Sequence, residues 1–366
     1  MTYISLYRKW RPQNFEEVVG QEAVVQTLRN AVKSGRISHA YLFSGPRGTG
    51  KTSTARILAK ALNCQKGISD NPCGTCQMCL RIRDGNSMDV IEIDAASNRG
   101  IDEIRDLREK VRYAPVEGKY KVYIVDEVHM LTQEAFNALL KTLEEPPLHV
   151  IFVLATTEPQ KVPLTIASRC QRLDFGRIPL SNIIRQLKLV AGKEGFKIDE
   201  EAMNLIGRNS EGSIRDAISL LDQLVSFCGT KIGKDDVVIV LGTADQSFLF
   251  DLAAAIKKGE MASVLKFADE TIAKGLSIPQ ILRDLINHFR YLLLMKLGSE
   301  SIIELTKDAL DKLRKQAEIF ELPEIREIIK VLARAELDLK WHPQGRLVLE
   351  VALIEATSLD QKKYAT

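Results

Sequence analysis

The sequence of 366 residues predicts an α/β domain followed by a region built from helices alone. Two segments predict the α/β part. An apolar strand, a glycine-rich loop and a helix follow one another over residues 40–62, and a second apolar strand over 121–126 ends in acidic residues. The third observation is a change at Ile178, after which strand-like patterns cease and amphipathic helices follow one another.

The composition is that of an ordinary globular protein, with 45% hydrophobic and 27% charged residues, and the length suffices for two or three domains. The net charge of +3 neither demands nor excludes a nucleic-acid partner. No apolar segment follows Lys9 and Arg11 as in a signal peptide, and no apolar run is long enough for a membrane span. We therefore expect a cytoplasmic protein with no membrane contact and with reduced cysteines.

The glycine-rich loop reads GPRGTGKT and fits the phosphate-binding pattern G-x-x-x-x-G-K-[ST]. Its glycines let the backbone curl so that N–H groups point inward, and the next helix adds partial positive charge. In such a loop Lys51 reaches the β- and γ-phosphates and the Thr52 hydroxyl binds Mg²⁺, so we expect ATP and Mg²⁺ here. The expected nucleotide contacts are Gly45, Pro46, Arg47, Gly48, Thr49, Gly50, Lys51, Thr52 and Ser53.

The acidic pair Asp126-Glu127 supplies the second half of an ATP-hydrolysing site. Asp126 would hold Mg²⁺ through its water shell, and Glu127 would act as the base on the attacking water. Both carboxylates are needed at the carboxyl end of a strand, where the glycine-rich loop also lies. The run DEVH, which includes His129, is similar to a helicase box, but a histidine at the start of a helix is the favoured interpretation.

Four cysteines lie close together in a polar, turn-like segment, and the last three are spaced C-x2-C-x2-C. In a reducing compartment, such spacing suits a closed tetrahedral zinc site of structural type. An iron–sulfur cluster and unligated thiols are the alternatives. The expected metal ligands are Cys64, Cys73, Cys76 and Cys79, whereas Cys170 and Cys228 read as ordinary buried cysteines.

The other elements of the α/β part follow in order. The pattern predicts a strand over 88–95, a helix over 101–113 capped by the turn 97–100, a helix over 133–145 and a strand over 149–155. Thr157 follows that last strand and could touch the γ-phosphate or the attacking water.

The basic and aromatic segment 5–12 precedes the phosphate loop, where it could cover an adenine base or pack as a surface arm, and both interpretations stay open.

The helical part begins with helices predicted over 180–194, 200–208 and 213–227. Arg215 lies in the first turn of the third, where the helix dipole disfavours an arginine unless it has an anionic partner. Five or six more helices follow from Asp245 to Tyr364, with breaks at Pro279 and Pro323. One of them, over 282–295, is so apolar that we expect burial on more than one side, in a bundle or an oligomer.

These motifs together resemble one family. The segments GPRGTGKT, VYIVDEVHML, ATTEPQKVP, SRC and GSIRDAISLLDQ, with the four-cysteine insert, are similar to the bacterial DNA polymerase III gamma/tau subunit, the ATPase of the replicative clamp loader. The resemblance implies an AAA+ fold: a parallel sheet with helices on both faces, a small helical lid and an all-α collar. The implied domains are 1–177 with the zinc insert 64–79, the lid 178–242, and the collar 243–366.

The resemblance also implies roles for further residues. Arg169 of the SRC motif would be an arginine finger that completes the site of a neighbouring subunit, and Arg215 would be the lid arginine that senses the γ-phosphate. Thr157 would be the polar sensor at the strand end, and Arg11 and Val19 would lie near the adenine.

The implied function is ATP-dependent loading of the sliding clamp onto primed DNA. Its partners would be delta and delta-prime type subunits, the clamp, primed DNA and further copies of this chain in a pentameric ring. The turn 98–100 carries little positive charge for contacts with DNA, and a chain that stops at Thr366 should lack the polymerase-binding and helicase-binding regions of the longer form. A branch-migration helicase and a non-hydrolysing scaffold subunit are the rival interpretations.

Overall fold

The computed structural model describes residues 3–241, 246–273, 276–303, 305 and 307–359. The chain forms two compact units, Met1–Lys234 and Asp235–Thr366. Residue 245 and residues 360–364, at the two ends of the predicted C-terminal helical region, lie outside the described residues. Among the described residues, no helix combines the length and the apolar character needed to cross a membrane.

A five-stranded parallel sheet lies at the centre of the first unit, in the order β2-β3-β4-β1-β5. Neighbouring residues of β1 belong to different hydrophobic clusters, with Tyr41 and Phe43 on one face and Ala40 and Leu42 on the other. Apolar side chains on both faces indicate a sheet covered by helices on both sides, as predicted. The strands are β1 Ala40–Ser44, β2 Val90–Asp94, β3 Lys121–Asp126, β4 Val150–Thr156 and β5 Gln171–Asp174.

The helices of the first unit divide into a set around the sheet and a set that follows it. Those around the sheet are α2 Glu22–Ser34, α3 Lys51–Asn63, α4 Gln77–Asp84, α5 Ile101–Val111, α6 Gln133–Glu144 and α7 Leu164–Ala167, whereas α1 Leu6–Lys9 packs against a helix of the following set. The following set is α8 Leu180–Glu194, α9 Glu200–Asn209 and α10 Ile214–Cys228.

Two short strands after Ile178 correct the prediction that strands cease there. β6 Lys197–Ile198 and β7 Lys231–Ile232 pair in parallel beside the lid helices. Two residues are too few to produce an alternating pattern, which is why the sequence did not predict them.

Side-chain caps set several helix starts. The Thr132 hydroxyl accepts a hydrogen bond from the Ala135 N–H at the start of α6, and the Ser213 hydroxyl accepts one from Asp216 at the start of α10. The turn 97–100 differs from the expectation, because the cap position of α5 is Gly100 and no side chain bonds there. That turn is held instead by Asp94, whose carboxylate accepts from the Ser97 hydroxyl.

The described secondary structure of the second unit consists of helices. The first of them, α11, begins at Lys234, which is the last residue of the first unit. Pro279 and Pro323 lie in the first turns of α14 and α16, so the breaks between successive helices fall next to these prolines, as expected. The apolar helix α14 buries Leu282, Leu285 and Phe289 completely along one face, and it packs against several other helices of its unit, as expected for a helix inside a bundle. The helices are α11 Lys234–Leu241, α12 Gln246–Lys258, α13 Met261–Ala273, α14 Ile278–Lys296, α15 Lys307–Ile319, α16 Leu322–Asp338 and α17 Gly345–Ser358.

Candidate nucleotide-binding site

A cleft of about 960 Å³, counting the open space at its mouth, lies at the carboxyl ends of β1 and β3. The N-terminal segment and the first turn of α10 form its other walls. Open parallel sheets bind ligands at this edge, outside the carboxyl ends of their strands. Twelve residues predicted from the sequence line it together: Arg11, Val19, Arg47, Gly48, Thr49, Gly50, Lys51, Thr52, Ser53, Asp126, Glu127 and Arg215.

The loop between β1 and α3 has the backbone that its glycines permit. Gly45, Gly48 and Gly50 have φ values of 146°, 74° and 101°, which side-chain-bearing residues rarely adopt. A Cβ atom at Gly45 would collide with the carbonyl oxygen of Phe175, and one at Gly48 would collide with the Ser213 hydroxyl. The loop therefore packs closely on its neighbours only because these positions are glycine. Pro46 lies within the same loop.

Lys51 and Thr52 are the first two residues of α3. The helix therefore begins two residues before Ser53, the first residue of the helical pattern in the sequence. The Lys51 ammonium donates to the carbonyls of Gly45 and Pro46, at 2.7 and 2.8 Å, and so spans the loop from within. Burial lowers the pKa of Lys51, although the charges of Glu127 and Asp126 oppose that shift. The Thr52 hydroxyl donates to Asp126 Oδ2 at 2.7 Å, which brings two oxygen ligands of the kind Mg²⁺ prefers together.

Glu127 follows β3 in a left-handed conformation with φ of 48°, uncommon for a residue with a side chain. Its backbone N–H donates to Asp126 Oδ1, and its carboxylate reaches the end of β4. There, Glu127 Oε2 accepts from the N–H and the hydroxyl of Thr157, at 3.2 and 2.9 Å. Thr157 thus contacts the candidate base directly.

His129 is a residue of this site that sequence reasoning missed. It lies in the 3₁₀ turn Val128–Met130, with its side chain only 6% exposed. Its Nδ1 lies 3.0 Å from the Thr156 hydroxyl and 3.3 Å from Glu127 Oε2. The available signal was its position two residues after Glu127 in the run DEVH, which the sequence favoured as a helix start.

The N-terminal segment contributes Tyr7, Trp10 and Pro12 to the cleft beside Arg11 and Val19. This placement favours the base-covering interpretation over the surface arm. Further apolar side chains that the sequence did not single out for this site are Val18, Ile178, Ile214 and Ile218. An apolar wall opposite a polar loop suits a ligand with a flat base at one end and phosphates at the other.

Cations converge on the cleft. Burial lowers the pKa of Arg11, and the nearby charges of Arg56 and Arg215 lower it further. The guanidinium of Arg215 lies 5.1 Å from the centre of the Tyr7 ring. Positive groups that crowd one another in this way are relieved by an anion between them, and phosphates would fit that requirement.

Arg169 is not among the residues that line this cleft. It follows α7, where its guanidinium donates to the carbonyl of Thr165 at 2.8 Å and to Glu144 Oε1 at 2.7 Å. Its side chain is 36% exposed. A role in the cleft of the same chain is not supported by this position, whereas a surface arginine remains accessible to another molecule.

The four predicted cysteine ligands come together. Cys64 ends α3, Cys76 caps α4, and the Sγ atoms of Cys64, Cys73, Cys76 and Cys79 all lie within 4.8 Å of one another. Tetrahedral zinc with Zn–S bonds near 2.3 Å requires sulfur atoms about 3.8 Å apart, so small movements of the four side chains would bring them to such an ion. Backbone N–H groups of Thr75 and Cys76 lower the pKa of Cys73 to about 5, whereas burial raises the pKa of Cys79, so the four thiols differ in how readily they form the thiolate that metals bind. Cys170 and Cys228 are half-buried, less than expected.

Comparisons with known proteins support the class that the fold and cleft define, an AAA+ nucleotide-binding protein with a lid domain. Three family models match consecutive parts of the chain. The model for the DNA polymerase III delta subunit matches residues 20–179, and that for the clamp loader subunit ATPase lid domain matches 182–230. The model for domain III of DNA polymerase III subunits gamma and tau matches 232–364.

The chain belongs to the DNA polymerase III gamma/tau subunit family. It is 46% identical to the tau subunit of Bacillus subtilis over 97% of this chain and 63% of that protein. It is 41% identical to the Escherichia coli tau subunit, over 97% of this chain and 55% of that protein. With the gamma subunit of Buchnera aphidicola the identity is 37%, over 98% of this chain and 99% of that protein. The predicted fold class and family are thereby confirmed, and the chain spans little more than half the length of the tau subunits.

Proposed function

We propose that this chain is the ATPase subunit of a clamp loader and drives the loading of a sliding clamp onto primed DNA. One observation carries the proposal. In a chain of this family, Lys51, Thr52, Asp126 and Glu127 line one cleft beside a loop with the backbone of a phosphate site. A scaffold subunit would not need all four groups, and hydrolysis does.

The chemistry follows from these positions. Lys51 would exchange its loop carbonyls for phosphate oxygens, while Thr52 and Asp126 would hold Mg²⁺. The metal, when bound, offsets negative charge on the phosphates. Glu127 would accept the proton of the attacking water, because its carboxylate is held at the strand end next to Asp126.

The proposed domains are those expected from the sequence: an ATPase domain over 1–177, a lid over 178–242 and a collar over 243–366. Arg215 of the lid lies across from the phosphate loop and would sense the γ-phosphate. Its location fits because the Ser213 hydroxyl and the Arg215 Cβ both lie against Gly48. Nucleotide binding would then fix the lid against the ATPase domain.

Further partners are part of the proposal. Copies of this chain would join delta and delta-prime type subunits in a pentameric ring that grips the clamp and encloses primed DNA. DNA would be recognised by its phosphates and shape, so the binding should weaken as salt rises. A cytoplasmic location, as for other replication proteins, remains a prediction.

Hydrolysis measured in the assembled complex tests the proposal. We would reconstitute the chain with its partner subunits and compare rates with and without clamp plus primed DNA, at low and moderate salt. Strong stimulation that needs both clamp and a primer junction is the expected result. Stimulation by any DNA without clamp would favour a helicase, and no hydrolysis under any condition would leave a scaffold.

The arginine finger can be tested by mixing subunits. Lys51→Ala chains should lack their own sites, and Arg169→Ala chains should fail to complete a neighbour's site. Fingers of this kind contribute roughly 10³–10⁵ in rate. A mixed ring should regain activity where an Arg169 of one subunit meets an intact cleft of another. Arg172→Ala, which removes an arginine paired with Asp174 nearby, is the matched control and should behave as the wild type. No recovery in the mixture would contradict the assignment.

The cysteine cluster is proposed as a structural zinc site in the family's manner. Four protein ligands leave no open position for substrate, so the metal would stabilise the segment 64–79 and take no part in hydrolysis. Elemental analysis of protein purified without chelators should give one zinc per chain. Absence of zinc, or a visible spectrum typical of iron–sulfur clusters, would contradict this assignment.

A further inference from the structure

The His129 ring lies between two carboxylates, that of Glu127 in the cleft and that of Glu158 nearer the surface. Its Nδ1 is 3.3 Å from Glu127 Oε2, and its Nε2 is 3.4 Å from Glu158 Oε1. The ring is almost completely buried, whereas Glu158 is 37% exposed at its side chain. A buried imidazole is thus placed between the floor of the cleft and the surface of the unit.

Within the described part of the chain, the side-chain contacts of Glu127 use one carboxylate oxygen, Oε2. Oε2 accepts from the Thr157 N–H and hydroxyl, and it also faces His129 Nδ1. Among the residues that the structure describes, no donor is placed against Oε1. One oxygen is therefore anchored, and the other is left to accept a proton from water.

Glu158 is itself held by hydrogen bonds through its backbone and its side chain, so it can help to fix the orientation of the His129 ring. Its N–H donates to the Thr156 hydroxyl at 3.0 Å, the same hydroxyl that His129 Nδ1 contacts. Lys161 Nζ lies 3.0 Å from Glu158 Oε1, and this hydrogen bond lowers the pKa of the Glu158 carboxyl group. The chain of contacts runs from Lys161 at the surface to Glu127 in the cleft.

We propose that His129 is a positioning residue that holds the Glu127 carboxylate for hydrolysis and uses Glu158 as its second anchor. This inference rests on the proposed function, because it assigns a role in the same hydrolytic site. His129 acts through Glu127: it fixes the direction of Oε1. A misplacement of a base by about 1 Å can cost on the order of 10²-fold in rate, so a lost anchor should be measurable.

The test compares two replacements in the assembled, clamp-stimulated complex. His129→Phe keeps a ring but removes both nitrogens, and His129→Asn keeps an amide near the position of Nδ1. We expect His129→Phe to lower kcat by about 10-fold or more with little change in KM for ATP, since binding groups are untouched. His129→Asn should recover most of the rate. His149→Phe, at a histidine whose ring contacts the Tyr113 carbonyl, is the matched control and should leave kcat unchanged.

A cycle with Glu127→Gln decides whether the effect passes through the base. If His129 acts through Glu127, His129→Phe should cause little further loss once Glu127 is changed. Equal losses for Asn and Phe, a rise in KM, or full additivity with Glu127→Gln would overturn the inference.

The coupling between these positions can also be measured from the unfolding midpoints of the variants, which does not require hydrolysis. The His129→Phe shift should shrink in the Glu127→Gln and Glu158→Gln backgrounds, and identical shifts in all backgrounds would contradict the contacts' role. An inactive wild-type complex would count against the proposed function, while these midpoints still decide the inference.

Discussion

Lys51 of the first unit is buried and Lys257 of the second is partly buried, with its side chain 21% exposed, and the two lysines have opposite surroundings. In the first unit Lys51 is 6% exposed and donates to two loop carbonyls. In the second, Lys257 Nζ lies 2.7 Å from Glu324 Oε2, with the Glu324 side chain 6% exposed. Glu324 also closes a capping box at the start of α16, so its charge is used twice.

The difference separates a binding charge from a structural one. Among the described residues, no carboxylate lies within ion-pair distance of Lys51, although Asp126 and Glu127 lie near enough to oppose the lowering of its pKa. A buried cation without an ion-pair partner, on the wall of a cleft, is available to an anionic ligand. Lys257 pairs with the carboxylate of Glu324. Removal of Lys257 would leave that carboxylate buried without this cation.

The largest expected effect is that of Lys51→Met on hydrolysis. Loss of a charged donor aimed at the phosphates should lower the rate by about 10²–10³-fold or more, by analogy with the removal of a donor to a developing negative charge. The unfolding midpoint should stay constant or rise, because a buried charge without a carboxylate partner is replaced by an apolar chain. A large loss of stability would break the comparison.

Lys257→Met should show the reverse pattern. Removing one partner of a fully buried ion pair costs about 3–5 kcal/mol, and the 21% exposure of the Lys257 side chain places this pair at or below the lower end of that range. The free energy of unfolding, measured with urea on the full chain, should fall by an amount of that order, while hydrolysis below the unfolding transition stays near that of the wild type. Loss of activity in a folded variant would show that Lys257 does more than stabilise its unit.

The next effect concerns His288, the buried histidine of the second unit. Its Nε2 lies 2.7 Å from Gln316 Oε1, and burial lowers its pKa to about 4. The folded state therefore resists protonation that the unfolded chain accepts near pH 6.5. Its stabilising contribution is complete above pH 6.5 and is lost as pH falls to about 4, up to about 3 kcal/mol.

Unfolding by urea between pH 7 and 4.5 checks this expectation. His288→Gln keeps a donor without a titrating ring, so its pH dependence should be flatter over that range. His39→Gln, at an exposed histidine, is the control and should follow the wild type. Equal slopes for all three proteins would contradict the role of His288.

The smallest expected effect lies at the edge of the cleft. Glu194 of α8 accepts hydrogen bonds from Lys9 and from the Trp10 indole, at 2.8 and 2.9 Å, and Lys9 lowers the pKa of this carboxyl group. Exposed pairs contribute about 0.2–1 kcal/mol, so Glu194→Gln should raise the KM for ATP a few-fold and leave kcat unchanged. A change in kcat alone would show that the N-terminal segment does not act through binding.

The sequence predicted the phosphate loop and four of the five strands because these are local patterns, and it missed β5, in which only Leu173 is buried. Contiguous residues form the strand, loop and helix around the phosphate loop. The acid pair likewise directly follows the apolar residues of β3. Parallel pairing of β1 with β4, and of β4 with β3, then brings their carboxyl ends to one edge. Nine of the twelve predicted cleft residues, on the phosphate loop, the start of α3 and the end of β3, follow from that topology, whereas the places of Arg11, Val19 and Arg215 were implied by the family resemblance.

The remainder of the site depends on contacts between distant segments. Nothing in the run DEVH indicates that His129 meets both Glu127 and Glu158, because Glu158 is reached only through the pairing of β3 with β4. The sequence also did not predict the apolar wall formed by Val18 and Ile178, because these two residues are far apart in the chain and meet only in the fold. Whether Arg169 completes a neighbouring site depends on a second subunit and cannot be predicted from one chain's packing.

The helix α3 has a consequence for spectroscopy. It begins with Lys51 at the phosphate loop and ends at Asn63, next to Cys64 of the cysteine cluster, about 20 Å away at 1.5 Å per residue. Cobalt bound by four thiolates absorbs visible light, and its spectrum responds to small changes in ligand geometry. A cobalt-loaded cluster would therefore lie at the far end of the helix that starts at the phosphate loop, and its spectrum, recorded with and without ATP, would test whether filling the cleft moves that helix.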